Sequence, residues 1–216
     1  LTSYCVLLEI NDIACKRGER LLFEGVSFAI EPGQILWVRG HNGQGKTSLL
    51  RLLAGLATPV QGSITWGGKP IRRAGAEYLS RLVYIGHANA IKEDLSVAES
   101  LQFLAQLHGK SVSEDRCADA LRAVGLYSRR NAPVRTLSQG QRRRVALARL
   151  FNETQPGVWI LDEPFDALDV EGIGTLNGVL ETHVRRGGSV VLTSHLELTM
   201  TNPGPVSLHL KSPVRQ

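Results

Sequence analysis

An α/β fold with a largely parallel sheet is what this sequence predicts, and three observations carry the prediction. Short apolar runs in "GQILWVRG", "RLVYIG", "VWILDEP" and "GSVVLTSH" have the length and composition of buried strands. Amphipathic helical patterns separate them, and strands that alternate with helices pair in parallel. One of these strands also runs directly into a helix through a glycine-dense loop, "RGHNGQGKTSLL" at 39–50.

In chain order, "LLEINDIACKRGERLLFEGVSFAIEPGQ" alternates apolar and polar residues, with turn signals at Arg17-Gly18 and Pro32-Gly33, so two or three antiparallel strands are expected. After the loop, "TSLLRLLAGL" puts Leu49, Leu50, Leu52, Leu53 and Leu56 at helical spacing. "GSITWGGKPI" reads as a hairpin turning at Gly67-Gly68. Residues 88–157 read as a helical insert. There, Ser96 and Glu99 have capping-box spacing for a helix to about Leu107, Gly109 is its stop, and Ser113 can cap a second helix. Ile173, Leu176, Leu180 and Val184 mark a helix between the last two apolar strands. One domain over 1–216 is expected, with 1–87 and 158–216 as the core and its β subdomain, and 88–157 as the insert. There is no internal repeat, low-complexity tract or long linker.

A chain of 216 residues with 43% hydrophobic content suits a single globular domain. No apolar run approaches the roughly 18 to 20 residues of a membrane helix. "LTSYCVLLEIND" lacks the charged head and long apolar body of a signal peptide, so the chain is expected to stay where it is made. Cys5, Cys15 and Cys117 are odd in number and lack C-x-x-C spacing, which fits reduced core or surface thiols better than a disulfide framework or zinc site. The formal charge of +5 admits nucleic acid, an anionic membrane or a plain basic surface. Arg142, Arg143 and Arg144 form the densest basic cluster, but consecutive helical residues point in different directions and no aromatic residues interleave them; no nucleic-acid partner is expected.

The glycine loop carries the chemistry. Gly40, Gly45, Lys46 and Thr47 fit G-x-x-x-x-G-K-[ST], a loop whose backbone N–H groups curl around phosphate oxygens at a helix N-terminus. His41, Asn42, Gly43, Gln44 and Ser48 complete the phosphate-binding set. Lys46 is placed to reach the β and γ phosphates and Thr47 to hold Mg²⁺, so a nucleoside triphosphate is the expected ligand. Asp162 and Glu163 end the strand in "VWILDEP", at the edge where α/β proteins bind ligands. Two solvated acids at a strand end are common in isolation; paired with the loop, Asp162 suits Mg²⁺ and Glu163 suits polarising an attacking water.

"TLSQGQRRRVALARL" resembles the LSGGQ signature of the ATP-binding cassette (ABC) ATPases. Ser138 and the N–H groups around Gly140, with Gln139 and Gln141, open an amphipathic helix and make a second anion-binding terminus. The resemblance spans the chain in the family's order: loop at 40–47, signature at 137–141, Asp162 and Glu163, "ALD" at 167–169, and His195 after a strand. It implies a P-loop NTPase (RecA-like) core with an antiparallel β subdomain and a helical ABC insert. It further implies ATP and Mg²⁺ as ligands, His195 on the γ-phosphate, and two subunits that sandwich two ATP molecules, the loop of each facing the signature of the other.

More narrowly, "YIGHANAIKEDLSVAESLQFL", "RVALARLF" and "WILDEPFDALDVEGI" resemble the ATP-binding subunits of cytochrome c maturation transporters. That likeness implies an integral membrane partner, further cytochrome c maturation components, a place on the cytoplasmic face of the inner membrane, and ATP hydrolysis coupled to haem delivery or export. Three positions depart from the wider family: Gln139 replaces a signature glycine, Arg17 stands where an aromatic residue usually meets adenine, and His87 replaces the Q-loop glutamine. An arginine plane can stack on a base. The competing class, a soluble ABC ATPase acting on ribosomes or nucleic acid, usually has two cassettes or a long coiled-coil insertion, and neither fits within 216 residues.

Overall fold

The computed structural model describes residues 8–166, 168–200 and 203–211; Cys5 and Ala167 lie outside them. Strands β1 (Leu8–Arg17) and β2 (Arg20–Ile30) form an antiparallel ribbon that continues through β4 (Gln61–Trp66) and the short β5 (Lys69–Pro70), in the order β2-β1-β4-β5. A second sheet holds β3 (Ile35–Arg39), β6 (Leu82–Ile85), β7 (Val158–Leu161), β8 (Ser189–Thr193) and β9 (Val206–His209), all parallel, in the order β6-β7-β8-β3-β9. Parallel pairing brings the C-terminal ends of β3, β6, β7 and β8 to one edge. The expected loop, His87, both acids and His195 all follow those ends.

Alternation along the parallel strands divides the core. Leu36, Val38, Ile160 and Val191 face the antiparallel sheet and α1 (Lys46–Leu53), whereas Ile35, Trp37, Trp159, Leu161 and Leu192 face the other way. On that second side lies α6 (Val170–Arg185), which buries Leu176, Leu180 and Val184, spaced one helical turn apart. The insert contains α3 (Val97–Leu107), α4 (Glu114–Ala123) and α5 (Gln139–Ala148) around a core that includes Val97, Leu101, Leu121 and Val134. Helix α5 belongs to both regions: Val145 and Ala148 pack in the insert, Ala146 and Leu147 against the parallel sheet.

The local signals act as expected at most helix ends. Ser96 and Glu99 form a reciprocal capping box on α3, and Ser113 accepts the Arg116 N–H at the start of α4. Leu56 is an exception. Helix α1 ends at Leu53, Gly55 takes a left-handed φ of 72°, and Leu56 is 56% exposed rather than on the buried face. Two elements had no clear signal. Helix α2 (Ile71–Arg81) is polar and broken by non-helical dihedrals at Gly75, and β9 is a largely exposed edge strand. No helix among the described residues is long and apolar enough to cross a membrane.

Buried His183 stacks on Trp159, with ring centroids 3.7 Å apart, and its Nε2 lies 3.0 Å from the Gly157 carbonyl. Burial lowers its pKa to about 4. A histidine held neutral in the fold contributes stability above the unfolded pKa of about 6.5 and loses that contribution as pH falls toward 4. At about 1.4 kcal/mol per pH unit, the loss is on the order of 3 kcal/mol. Urea unfolding across that window should therefore show a steeper acid loss in the wild-type chain than in His183→Phe.

Candidate active site

The loop between β3 and α1 is shaped by glycine. Gly40, Gly43 and Gly45 have φ of 152°, 82° and 95°, values that favour glycine. Gly45 is the N-cap of α1 and supplies no side-chain bond, so the first N–H groups of the helix face the loop. Gln44 Oε1 accepts the His41 N–H at 2.6 Å and braces the turn from within. The Lys46 ammonium crosses the loop mouth to the Gly40 carbonyl at 2.8 Å, with Asn42 Oδ1 at 3.5 Å. Backbone donors, a helix N-terminus and a lysine thus converge in a setting suited to polyphosphate.

Opposite the loop, Asp162 is 2% exposed. Its Oδ2 accepts the Thr47 hydroxyl at 2.8 Å and its Oδ1 accepts the Thr193 hydroxyl, also at 2.8 Å. A hydroxyl and a carboxylate make a hard-oxygen pair that fits Mg²⁺, an ion that commonly takes its other ligands from phosphate and water. Glu163 adopts a left-handed φ of 49°, uncommon for a residue with a side chain. Its Oε2 accepts the His195 N–H at 3.0 Å, and His195 Nε2 lies 3.5 Å from its Oε1. Burial raises the Glu163 pKa above the ordinary carboxylate value, and His195 partly opposes that shift. A carboxyl moved in that direction is better matched to accepting a proton near neutral pH.

These groups line one open cleft of about 310 Å³. From the loop it gathers Asn42, Gly43, Gly45, Lys46, Thr47 and Ser48; Asp162, Glu163, His195, His87 and Arg17 complete the expected set. Gly40, His41 and Gln44 belong to the loop but do not line this cleft. Ser138, Gln139, Gly140 and Gln141 do not line this cleft. Instead Ser138 caps α5, its Oγ accepting the Gln141 N–H while Gln141 Oε1 accepts the Ser138 N–H. The signature segment thus lies outside the cleft formed by the chain's own loop.

Three contributors were not singled out from sequence. Asp166 and Leu22 line the cleft, and Thr193, fully buried, donates to Asp162 while accepting the Glu163 N–H at 2.8 Å. A hydroxyl in the last position of a buried strand, two residues before His195, was the available clue to Thr193.

Residues 23–166 match the model of the ABC transporter family, and the chain belongs to that family of ATP-hydrolysing enzymes. Within it, the chain is similar to the cytochrome c biogenesis ATP-binding export proteins CcmA. It is 48% identical to that of Nitrosomonas europaea, covering 90% of this chain and 91% of the relative, and 48% identical to that of Dechloromonas aromatica, covering 90% and 95%. An ABC transporter ATP-binding protein of Pyrococcus furiosus superposes with a TM-score of 0.79 at 27% identity, over 94% of this chain and 96% of that one.

Thr193→Val keeps the side-chain shape but leaves the buried Glu163 N–H without its acceptor and removes one hydroxyl from Asp162. Leaving a buried donor unsatisfied costs about 1–3 kcal/mol. A fall of that size in the urea unfolding free energy is expected; a change below a few tenths would separate Thr193 from this network.

Proposed function

We propose that this chain is the ATP-hydrolysing, energy-coupling subunit of a membrane transporter serving cytochrome c biogenesis and haem delivery or export. The observation that carries the ATPase half of this reading is the single cleft holding Lys46, Thr47, Asp162, Glu163 and His195. The specific process is supported by relatives, named as cytochrome c biogenesis export proteins, that match along about nine-tenths of the chain.

In this reading ATP lays its phosphates on the N–H groups of residues 40–48, at the positive end of α1. Lys46 leaves the Gly40 carbonyl for the β and γ phosphates, and Arg17 stacks on the adenine. Thr47 and Asp162 would hold Mg²⁺, which when bound would neutralise charge on the phosphates. Glu163 accepts a hydrogen bond from the attacking water and orients it in line, taking up its proton as the water oxygen bonds to the γ-phosphorus and the bond from that phosphorus to the β–γ bridging oxygen breaks, so that ADP and phosphate leave. His195 steadies the γ-phosphate while its backbone N–H aims the Glu163 carboxylate. His87, exposed at the cleft margin after β6, contacts the nucleotide end and passes its state to the membrane partner. Ser138, Gln139, Gly140 and Gln141 serve the second copy's nucleotide across a dimer, the role suggested by their position outside the chain's own cleft. The assembly then sits peripherally on the cytoplasmic face of the inner membrane, bound to an integral membrane subunit and to other cytochrome c maturation components. No nucleic acid takes part: Arg142 and Arg144 are already paired with Glu93 and Asp169.

Glu163→Gln should retain ATP while turnover falls at least about 100-fold, the scale of a lost general base. Lys46→Ala should lose nucleotide retention as well. Filter-bound ATP and released phosphate read the two effects, and substantial turnover by Glu163→Gln would exclude Glu163 as the base.

A composite site makes a second, independent demand. Mixing Ser138→Arg chains with Lys46→Ala chains creates heterodimers with one intact loop facing one intact signature. Partial activity should appear on mixing, whereas each variant alone stays inactive. Because Ser138 also caps α5, unfolding of the Ser138→Arg chain is measured in parallel; loss of the cap costs about 1 kcal/mol. Co-purification from detergent extracts with a multi-span membrane protein tests the transporter assignment.

A further inference from the structure

The three consecutive arginines of α5 do different work. Arg142 spreads over the insert, bonding Glu93 Oε1 at 2.6 Å and the Arg135 carbonyl at 2.9 Å, and Arg144 reaches Asp169 at 2.7 Å. Arg143 turns inward and is 6% exposed. Its Nη1 donates to the Gly86 carbonyl at 2.7 Å and to Asn89 Oδ1 at 3.2 Å; its Nη2 donates to the Asp162 and Glu163 carbonyls at 2.5 and 3.0 Å.

Three of these four acceptors are peptide carbonyls. A buried guanidinium whose role was charge pairing would lie against a carboxylate; this one grips backbone. The position is also unfavourable for an arginine. Burial lowers its pKa, and its Nε has no partner among the described residues. The benefit lies in what is gripped. Every backbone polar group of the Asp162-Glu163 segment is bonded: the Asp162 N–H to Ile85, the Glu163 N–H to Thr193, and both carbonyls to Arg143, with the Asp166 N–H sharing the second. Among the described residues, only Arg143 donates a hydrogen bond to this segment from the insert side. Glu163 meanwhile sits in a left-handed conformation that its own side chain disfavours, so its surroundings must impose it.

We propose that Arg143 is the positioning residue for Glu163: by holding the carbonyls of Asp162 and Glu163 it maintains the left-handed turn that aims the Glu163 carboxylate. The same side chain holds Gly86, just before His87, and rides on the helix that Ser138 caps. The signature helix, the acidic segment and the His87 loop therefore meet at one guanidinium, and a displacement of α5 reaches Glu163 without an intermediate residue. This inference rests on Glu163 being the base.

The test uses the full chain at a protein concentration that supports basal turnover, with Arg143→Met, Arg143→Lys and the double variant Arg143→Met/Glu163→Gln. Turnover, KM, ATP retention and urea stability are measured, and rates are normalised to folded protein. Arg143→Met should lower kcat roughly 30-fold to 100-fold, the scale of a misplaced catalytic group, with KM and retention changed less than threefold. Arg143→Lys keeps the charge but cannot span both carbonyl groups, so it should recover only part of the rate. In the Glu163→Gln background, Arg143→Met should change the residual rate less than twofold, because the carboxylate it positions is gone. A normalised kcat equal to wild type in Arg143→Met would reduce Arg143 to a stabilising role and overturn the proposal, as would a full 30-fold further loss in the double variant. If the Met variant does not fold, an unreduced kcat in Arg143→Lys overturns the proposal and a reduced kcat with unchanged KM supports it. Turnover retained by Glu163→Gln alone would remove the base itself, a result distinct from a silent Arg143→Met.

Discussion

Two threonine hydroxyls meet on one buried carboxylate, and the geometry of the cleft follows from that contact. Thr47 lies in the first turn of α1, Thr193 ends β8, and Asp162 follows β7; their hydrogen bonds of 2.8 Å tie the ends of separate elements at a single point. A carboxylate 2% exposed needs such donors, because an unsolvated charge is tolerated only when its lone pairs are occupied. The bonds fix the distance between the glycine loop and the acidic segment. They also place a hydroxyl and a carboxylate oxygen side by side, the arrangement suited to a hard cation.

The parallel sheet makes this contact possible. Register along β7, β8 and β3 aligns Leu161 with Leu192 and Trp37 with Leu192, so the residues that follow emerge level with one another. The antiparallel sheet has a different part: it packs on α1 and carries Arg17 and Leu22 to the cleft wall. In β3, β7 and β8 any polar residue sits at a strand end, while the strand interiors are apolar. Stability and chemistry thus occupy different segments of the same strands.

What was legible in the sequence follows from which signals are local. The glycine loop, the two acids and the Ser96–Glu99 capping box are spelled out within a few residues, and the structure forms the capping box as expected. Strands buried on both faces were visible as unbroken apolar runs. Helix α2 was not, because Gly75 interrupts its geometry and only Ile71, Ala74 and Tyr78 are buried. Strand β9 owes its existence to pairing with β3 rather than to its own composition. Leu56 misled because spacing cannot reveal that Gly55 turns the chain first. Thr193 and Arg143 escaped for a related reason: their partners lie 31 and 19 residues from them for Asp162, and 57 residues away for Gly86, so tertiary placement alone defines their work.

The insert's separate hydrophobic cluster has an evolutionary corollary. Val97, Leu101, Leu121 and Val134 pack with one another, and α5 is the helix that also belongs to the core beneath the sheet. Substitutions on the outer faces of α3 and α4 can therefore accumulate without disturbing the packing that holds the acids. Selection acting on those outer faces is decoupled from selection on chemistry, except along the inward side of α5. A lineage can change the surface it offers to other proteins while inheriting the same catalytic engine.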